Sequence, residues 1–187
     1  MLTFADWVNF IGDLILIAFG VKLTGELLRE GKVPPYIRTR TAIAEEVAEV
    51  FGTLPLGSVL YDPGCGDGRV LFAVARRNPG LHCVGIELRT FPYGCALWKK
   101  RRHPGMNVNF VRANAFAQDL SPATHLYTYL YPNVMDALLP KLEKELRPGT
   151  ILLSLDFPFT HKQPVGTVPL VNAEEGKLGS MLYTYVF

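Results

Sequence analysis

A glycine-rich loop between a short apolar segment and a helix-like segment constrains this chain more than any other feature. Residues 58–62, "SVLYD", have the apolar and β-branched side chains of a buried strand, and three glycines follow within residues 64–68. A helical pattern then runs from Arg69 to about Asn78. Because glycine lets a backbone approach another group closely, this order of elements predicts a ligand site at the end of the strand.

The rest of the chain alternates strand-like and helix-like segments. This alternation predicts a doubly wound, mainly parallel α/β sheet, with Thr39 or Thr41 capping its first helix. Ligands of such sheets bind at the carboxyl ends of the strands, which is where the glycine loop lies. Helices are predicted near 41–51, 92–102 and 133–146, and further strands at 81–87, 108–113, 125–131, 150–157 and 180–187.

The N-terminal segment differs from the rest because residues 4–28 are mostly apolar. A membrane-spanning helix needs about 20 predominantly apolar residues, and this segment reaches that length only by including Asp6, Asn9, Asp13 and Lys22. Two interpretations stay open: a membrane anchor or interfacial helix, and a helix that packs on the domain or on a second subunit. We therefore divide the chain into an apolar N-terminal helix at 1–30 and a domain at 31–187.

The charges around this segment indicate a location. Basic residues follow it and none precedes it, which places the following domain on the cytoplasmic face of a membrane if the segment inserts. A removable signal peptide is not expected, because no small-residue cleavage site follows the apolar core. The three cysteines, Cys65, Cys83 and Cys95, have no metal-ligand spacing, so we expect reduced thiols in the cytoplasm and no metal site.

Composition argues against a nucleic-acid partner. The net charge is only +2, whereas nucleic-acid binding usually requires a concentrated basic face. The one dense basic run, residues 99–102, is interpreted as a solvated end of a helix.

The glycine loop does not match the two common phosphate-binding loops. A P-loop needs a lysine that this loop lacks, and the dinucleotide pattern needs a small residue where the chain has Arg69. Asp62 and Asp67 lie on either side of Gly64 and Gly66, and their carboxylates would repel a pyrophosphate. They suit a ligand that carries an ammonium group and a sulfonium, and S-adenosylmethionine has both.

Glu87 is a second indication of this ligand. It ends the next predicted strand, 19 residues after Gly68, where a carboxylate can accept hydrogen bonds from both ribose hydroxyls. NAD and S-adenosylmethionine share that ribose, so the loop decides between them. The alternative for Glu87 is a surface acid without a ligand.

Two stretches of the chain resemble a known family. "LYDPGCGDGR" and "VGIEL" are similar to motif I and the following motif of the seven-strand S-adenosylmethionine-dependent methyltransferases, and the resemblance runs from about residue 36 to the end. It implies a Rossmann-like methyltransferase sheet with an antiparallel last strand. It also implies S-adenosyl-L-methionine as the cofactor.

A narrower group shares more of the sequence. "PPYIRT" resembles the "PYVPT" signature of archaeal broad-specificity protein-lysine methyltransferases and of membrane-anchored mitochondrial lysine methyltransferases, and "LPKLEKELRPGTILLS" and "DFPFTH" resemble later segments of that group. Arg38 stands where the signature has proline, and Pro63 where motif I has leucine or isoleucine. The resemblance implies methyl transfer to lysine of a protein substrate. The alternatives are a small-molecule or lipid methyltransferase, and an S-adenosylmethionine-binding scaffold without transfer activity.

The resemblance also assigns cofactor-binding roles. Asp62, Gly64 and Gly66 would contact the cofactor, and the alternative is an ordinary turn between strand and helix. Asn114 would bond the adenine amino group, unless it only caps a helix. Tyr36 and Thr39 would close over the methionine end, unless they only pack on the domain and cap the first helix.

The residues next to the acceptor are predicted from the segment after the fourth strand. Tyr129 and Tyr131 alternate with Leu130, so both should point to one side, and Tyr131 is the better candidate to line the methyl-transfer channel. Burial against aromatic walls favours the neutral amine of lysine, although core tyrosines remain the alternative. Asp156 would steer a cationic acceptor, or is merely structural.

Other features of the sequence bear on the acceptor. His161 could accept the proton of the lysine amine, but a lone histidine in a loop is more simply interpreted as structural or solvated. The absence of "NPPY" argues against a nucleobase or amide acceptor. Residues 160–179 form either a hairpin between the last strands or part of the acceptor surface.

Overall fold

The computed structural model describes residues 36–187, so the predicted helix at 1–30 lies outside the described residues. The described part of the chain forms a seven-stranded sheet of strand order β3-β2-β1-β4-β5-β7-β6. The strands are β1 (Val59–Pro63), β2 (His82–Glu87), β3 (Val108–Arg112), β4 (His125–Thr128), β5 (Ile151–Leu155), β6 (Gly166–Pro169) and β7 (Met181–Val186), and the helices are α1 (Thr41–Phe51), α2 (Arg69–Arg77), α3 (Thr90–Arg102) and α4 (Pro132–Glu145).

The doubly wound fold is confirmed. Strands β1 to β5 are parallel to one another, and β7 pairs antiparallel with β5, as the resemblance implied. Adjacent residues of one strand enter different cores: Leu126 packs with Met135 of α4, and Tyr127 packs with Val70 of α2. Both faces of the sheet are therefore covered by helices, as a mainly parallel sheet requires.

The order of the strands fixes the position of the ligand crevice. The chain runs from β1 outward to β3 and then returns to place β4 on the other side of β1. Order reverses between β1 and β4, and ligands of doubly wound sheets bind at such a point, outside the carboxyl ends of the strands. The loops that follow β1 and β4 are therefore the two sides of the crevice.

Two local predictions are wrong and one is confirmed. The predicted strand 125–131 is wrong beyond Thr128, because the chain leaves the sheet before Pro132 begins α4. The predicted threonine cap of α1 is also wrong: Arg40 occupies the N-cap position, and no side chain caps it. The hairpin interpretation of residues 160–179 is confirmed, since β6 lies there and pairs antiparallel with β7.

The helices of the described part are short. Within residues 36–187, none has the length and apolar character needed to cross a bilayer.

Candidate active site

The glycine loop, residues 64–68, is fastened to the end of the neighbouring strand. The amides of Gly64 and Cys65 donate to the carbonyl oxygen of Ile86 in β2, at 2.7 and 3.1 Å. The glycines at 64, 66 and 68 have φ values of 95°, 56° and 72°, a backbone region that residues with a side chain rarely adopt. The loop conformation therefore requires glycine at these positions.

Glu87 braces the same loop with its side chain. Its Oε2 accepts a hydrogen bond from the amide of Gly66 at 2.8 Å, and its Oε1 accepts one from the amide of Arg89 at 2.7 Å. The side chain is 6% exposed. A carboxylate offers about four lone-pair sites, so these two bonds leave acceptor capacity toward the crevice. The structure thus gives Glu87 a bracing role that the sequence did not indicate, and the ribose role stays a prediction.

Tyr36 lies directly over the loop. A Cβ placed on Gly66 would stand 2.4 Å from the Tyr36 ring, and one placed on Gly64 would stand 2.7 Å from Leu130. Burial, then the Asp67 carboxylate, raise the pKa of Tyr36 to about 12, so its hydroxyl stays protonated. Tyr36 and Leu130 therefore pack directly on the glycines, and this close approach is possible only because Gly64 and Gly66 have no side chains.

Asp62 lies at the ligand crevice, near the carboxyl end of β1, and is almost completely buried, with 2% exposure. Burial, then the carboxylates of Glu87 and Asp67, raise the pKa of Asp62 well above its ordinary value. A buried carboxyl beside two other acids is destabilised when it ionises, and a cation placed next to it would relieve that cost. Asp62 therefore suits a cationic ligand group.

Asp67 was grouped with Asp62 in the sequence, and the structure separates their roles. Its carboxylate binds Arg69 through two oxygens, at 2.9 and 2.6 Å. It also pairs with Lys99 at 2.9 Å and with Arg38 at 3.4 Å. With three cations around it, Asp67 leaves little negative charge for a ligand. Asp62, rather than Asp67, is therefore the partner for a cationic ligand group.

Arg38, the departure from the family signature, takes part in that cluster. Arg69 also donates to the main-chain oxygen of Thr39. Residues 36–40, which we call the strap, are thus tied to the glycine loop by two arginines and by the ring of Tyr36. Sequence spacing could not reveal this cluster, because Asp67 lies 29 residues from Arg38 and 32 from Lys99.

A cavity lies between the strap, the glycine loop and β4. We call it the cofactor cavity. Tyr36, Thr39, Asp62 and Gly64, four of the predicted cofactor-binding residues, line it together. Its remaining lining residues are Ile37, Cys65, Asp67, Arg69, Val70, Tyr127 and Tyr129.

Tyr127 is a lining residue that the sequence pattern did not select. It is 2% exposed, and its hydroxyl makes no hydrogen bond of normal geometry within the described part of the chain, although the Thr39 side chain interacts with it. Burial, then the charge of Asp62, raise the pKa of Tyr127 well above its ordinary value. The signal was available, since Tyr127 alternates with Tyr129 and Tyr131 in the same pattern that selected those two.

The side chain of Asn114, another predicted site residue, makes a hydrogen bond to a neighbour in the chain. Its Oδ1 accepts a hydrogen bond from the amide of Phe116 at 3.0 Å and caps the short 3₁₀ helix Ala115–Ala117. The cap that was the alternative interpretation is therefore present. The side-chain amide group is not used in this bond, so contact with an adenine stays a prediction.

Three aromatic rings group beside the cavity. Phe157 stacks on Tyr129 with centroids 5.8 Å apart and on Tyr131 with centroids 5.7 Å apart. The two tyrosines therefore do point to one side, as predicted, although neither belongs to a strand. Of these three rings, only that of Tyr129 lines the cofactor cavity, and the role of Tyr131 stays a prediction.

Asp156 accepts hydrogen bonds from the backbone that the sequence did not indicate. Its carboxylate accepts hydrogen bonds from the amides of Gly179, Ser180 and Met181. Its φ of 59° is unusual for a residue with a side chain, and such backbone strain tends to occur at functional sites. These bonds hold the end of β5 against the start of β7. Steering of a cationic acceptor stays a prediction.

The residues present fit the predicted cofactor. Asp62 and Gly64 line the cofactor cavity together, and Asp62 offers a buried carboxyl for the cationic part of the ligand. The Tyr127 hydroxyl in the same cavity is buried and makes no hydrogen bond of normal geometry in the described part of the chain. Within residues 36–187, no cluster of three or more histidine, cysteine or acidic side chains could hold a metal ion.

Known proteins are similar to this chain in sequence and fold. A family model described as the ANTKMT methyltransferase domain matches residues 62–166. This chain belongs to that methyltransferase family. The protein-lysine N-methyltransferase of Saccharolobus islandicus is 31% identical to the methyltransferase described here, over 81% of this chain and 92% of the relative. A lysine N-methyltransferase of Caenorhabditis elegans, named for a component of ATP synthase, is 32% identical over 67% of each chain.

A solved structure is similar to the methyltransferase as well. It is described as an RNA methyltransferase from Salinibacter ruber in complex with S-adenosyl-L-homocysteine. The TM-score is 0.69 and the identity 31%, over 80% of this chain and 93% of that chain. The fold and the methyltransferase activity predicted from the sequence are thus confirmed.

Substitution of Asp62 should change stability and cofactor affinity in opposite directions. The pKa of Asp62 is higher in the folded chain than the usual value of about 4 in an unfolded one. The free folded protein therefore loses stability as the pH rises from the unfolded to the folded pKa. Asp62→Asn removes this loss, so we expect its melting temperature, relative to that of the wild type, to be higher at pH 8 than at pH 4. We expect its affinity for S-adenosylmethionine to fall at least about tenfold, because an ionic contact is lost.

Thermal unfolding between pH 4 and 8 and calorimetric titration with the cofactor check both parts. Asp119→Asn is the matched control, because hydrogen bonds from Ser121 lower the pKa of Asp119. The melting temperature of this variant, relative to that of the wild type, should therefore be lower at pH 8 than at pH 4. An Asp62→Asn variant whose melting temperature, relative to that of the wild type, is no higher at pH 8 than at pH 4, or that binds the cofactor as tightly, would contradict the assignment.

Proposed function

We propose that the methyltransferase transfers a methyl group from S-adenosyl-L-methionine to the side-chain amine of a lysine in a protein substrate. The observation that carries this proposal is the cofactor cavity, where the buried Asp62 and Gly64 of the glycine loop meet Tyr129, the ring on which Phe157 stacks. The names of the relatives from Saccharolobus islandicus and Caenorhabditis elegans support lysine as the acceptor.

Each predicted cofactor residue has a place in this proposal. When bound, S-adenosylmethionine supplies an activated methyl group on a sulfonium. Asp62 would hold the positive methionine end, Glu87 the ribose hydroxyls and Asn114 the adenine amino group. Tyr36 and Thr39 would cover the methionine end from the strap, where both already line the cavity.

The acceptor side of the site has a different task. Lysine has a pKa of about 10.4 in water and must lose its proton before it can act as a nucleophile. Aromatic and aliphatic surroundings disfavour the charged form of an amine and so lower its pKa. Tyr131, stacked on Phe157, would form a wall of the channel, and Asp156 would attract the protonated lysine toward it. Correct placement then supplies much of the rate, since the methyl group is already activated.

Transfer of labelled methyl groups tests the acceptor class directly. The full chain is incubated with methyl-labelled S-adenosylmethionine and a lysate of its own source, and proteins, RNA and lipids are separated and analysed by mass spectrometry. We expect label in discrete proteins, mapped to lysine. The Asp62→Ala variant should transfer none, because it lacks the cofactor's cationic partner.

The other products of this experiment identify the competing functions. Label in RNA would agree with the described activity of the Salinibacter ruber protein and would overturn the lysine proposal. Label only in lipids or small molecules would establish the second chemistry considered from the sequence. Cofactor binding without any label would indicate a scaffold.

We also propose that residues 4–28 contact a membrane and that the enzyme acts on its cytoplasmic face. The apolar composition of the segment and the basic residues after it support this proposal. We expect the full chain to sediment with vesicles of mixed neutral and anionic lipid, and Leu16→Asp to stay in the supernatant because a carboxylate is costly in lipid. Leu56→Asp, at a position that is 99% exposed, is the control. Equal sedimentation of the two variants would contradict membrane contact through this segment.

A further inference from the structure

A second cavity adjoins the cofactor cavity. It shares Ile37, Thr39 and Tyr129 with the cofactor cavity. We call it the outer cavity. The two cavities therefore have common walls, and Tyr129 is the aromatic residue present in both.

The interior of the outer cavity is apolar. Ile43 of α1 and Leu155 of β5 are buried and line it from the core side, and Leu178 lines it from the surface with 47% exposure. The four methylenes of a lysine side chain suit such surroundings, because long charged side chains bury their stems along apolar surface. An exposed leucine at the mouth also gives an incoming chain an apolar contact.

The rim of the outer cavity joins the strap to the segment before β7. Arg40 contacts Glu174 and donates to the main-chain oxygen of Asn172 at 3.1 Å, and Lys177 pairs with the same Glu174. These contacts fix the two sides of the mouth relative to each other. They also balance part of the positive charge of Arg40 and Lys177, and Arg38, the third cation that lines the cavity, pairs with Asp67.

A polar group stands where the two cavities meet. Tyr129 is half-buried and lies beside the carboxylate of Asp156, and burial and then that carboxylate raise the pKa of Tyr129. Its hydroxyl is therefore protonated at neutral pH and can both donate and accept a hydrogen bond. Phe157 stacks on the Tyr129 ring and holds its orientation.

We propose that the outer cavity receives the side chain of the acceptor lysine and that the Tyr129 hydroxyl positions its amine toward the cofactor cavity. This inference rests on the proposed function and adds the route of the acceptor. The amine would arrive at Tyr129, the aromatic residue common to both cavities, with the lysine methylenes against Ile43, Leu155 and Leu178. Tyr129, rather than Tyr131, is then the positioning residue.

Narrowing the mouth tests the route. Leu178→Trp places a larger side chain at the mouth, on a cavity that neither Asp62 nor Glu87 lines, and Leu56→Trp makes the same change before the amino end of β1. With the protein substrate found by label transfer, we expect Leu178→Trp to raise the KM for that substrate about tenfold or more, because it removes binding that ground state and transition state share. The Kd for S-adenosylmethionine and the melting temperature should equal those of Leu56→Trp.

Tyr129→Phe tests the positioning role without depending on the fit of a tryptophan. We expect kcat to fall about tenfold or more while the cofactor Kd stays within about twofold, since one hydrogen bond to the amine is lost and the ring remains. A Tyr129→Phe enzyme with wild-type kcat would overturn the role of the hydroxyl.

The outcomes separate this inference from the proposed function. A wild-type enzyme that labels no lysine would overturn the proposed function and, with it, the route. A wild-type enzyme that labels lysine, with Leu178→Trp kinetically equal to Leu56→Trp, would overturn the route alone.

Discussion

The hydrogen bond from the Gly66 amide to the Glu87 carboxylate joins the glycine loop to the end of β2, and the rest of the site depends on it. A loop of glycines with positive φ has little conformational preference of its own, so its shape must be imposed by neighbours. Once the loop is held, Asp67 is fixed where Arg69, Arg38 and Lys99 surround it. If the Glu87 carboxylate also binds the ribose, as proposed, cofactor binding would depend on the order of the loop.

The strap continues this chain of contacts to the acceptor side. It is tied to the glycine loop through Arg38 and to the segment before β7 through Arg40. Between these two ends, Ile37 and Thr39 line both cavities. Cofactor and acceptor would therefore share one short piece of backbone as a wall. In-line transfer needs the two reactants placed within a narrow range, and a shared wall is a direct way to fix their separation.

The sequence predicted those parts of the molecule that depend on local pattern. The alternation of segments predicted the doubly wound sheet, and the position of Glu87 at the end of the next strand predicted a carboxylate at the ligand crevice, because neighbouring parallel strands end at one edge. The sequence did not indicate that this carboxylate also bonds the loop. It did not predict the cluster around Asp67 or the amides that bind Asp156, since their members are far apart in the chain and meet only through tertiary packing. The cap predicted at Thr39 failed for the same reason: Thr39 is buried in the strap, and its main-chain oxygen is used by Arg69.

Calorimetric titration of S-adenosylmethionine into the wild type, Glu87→Gln and the exposed control Glu143→Gln tests the dual role of Glu87 most directly. We expect Glu87→Gln to weaken cofactor binding at least about tenfold and to lower the melting temperature, because glutamine loses the charge and one acceptor oxygen. Glu143→Gln should leave both unchanged. Wild-type affinity and melting temperature in Glu87→Gln would contradict the dual role, because neither the loop nor the ribose would then depend on this carboxylate.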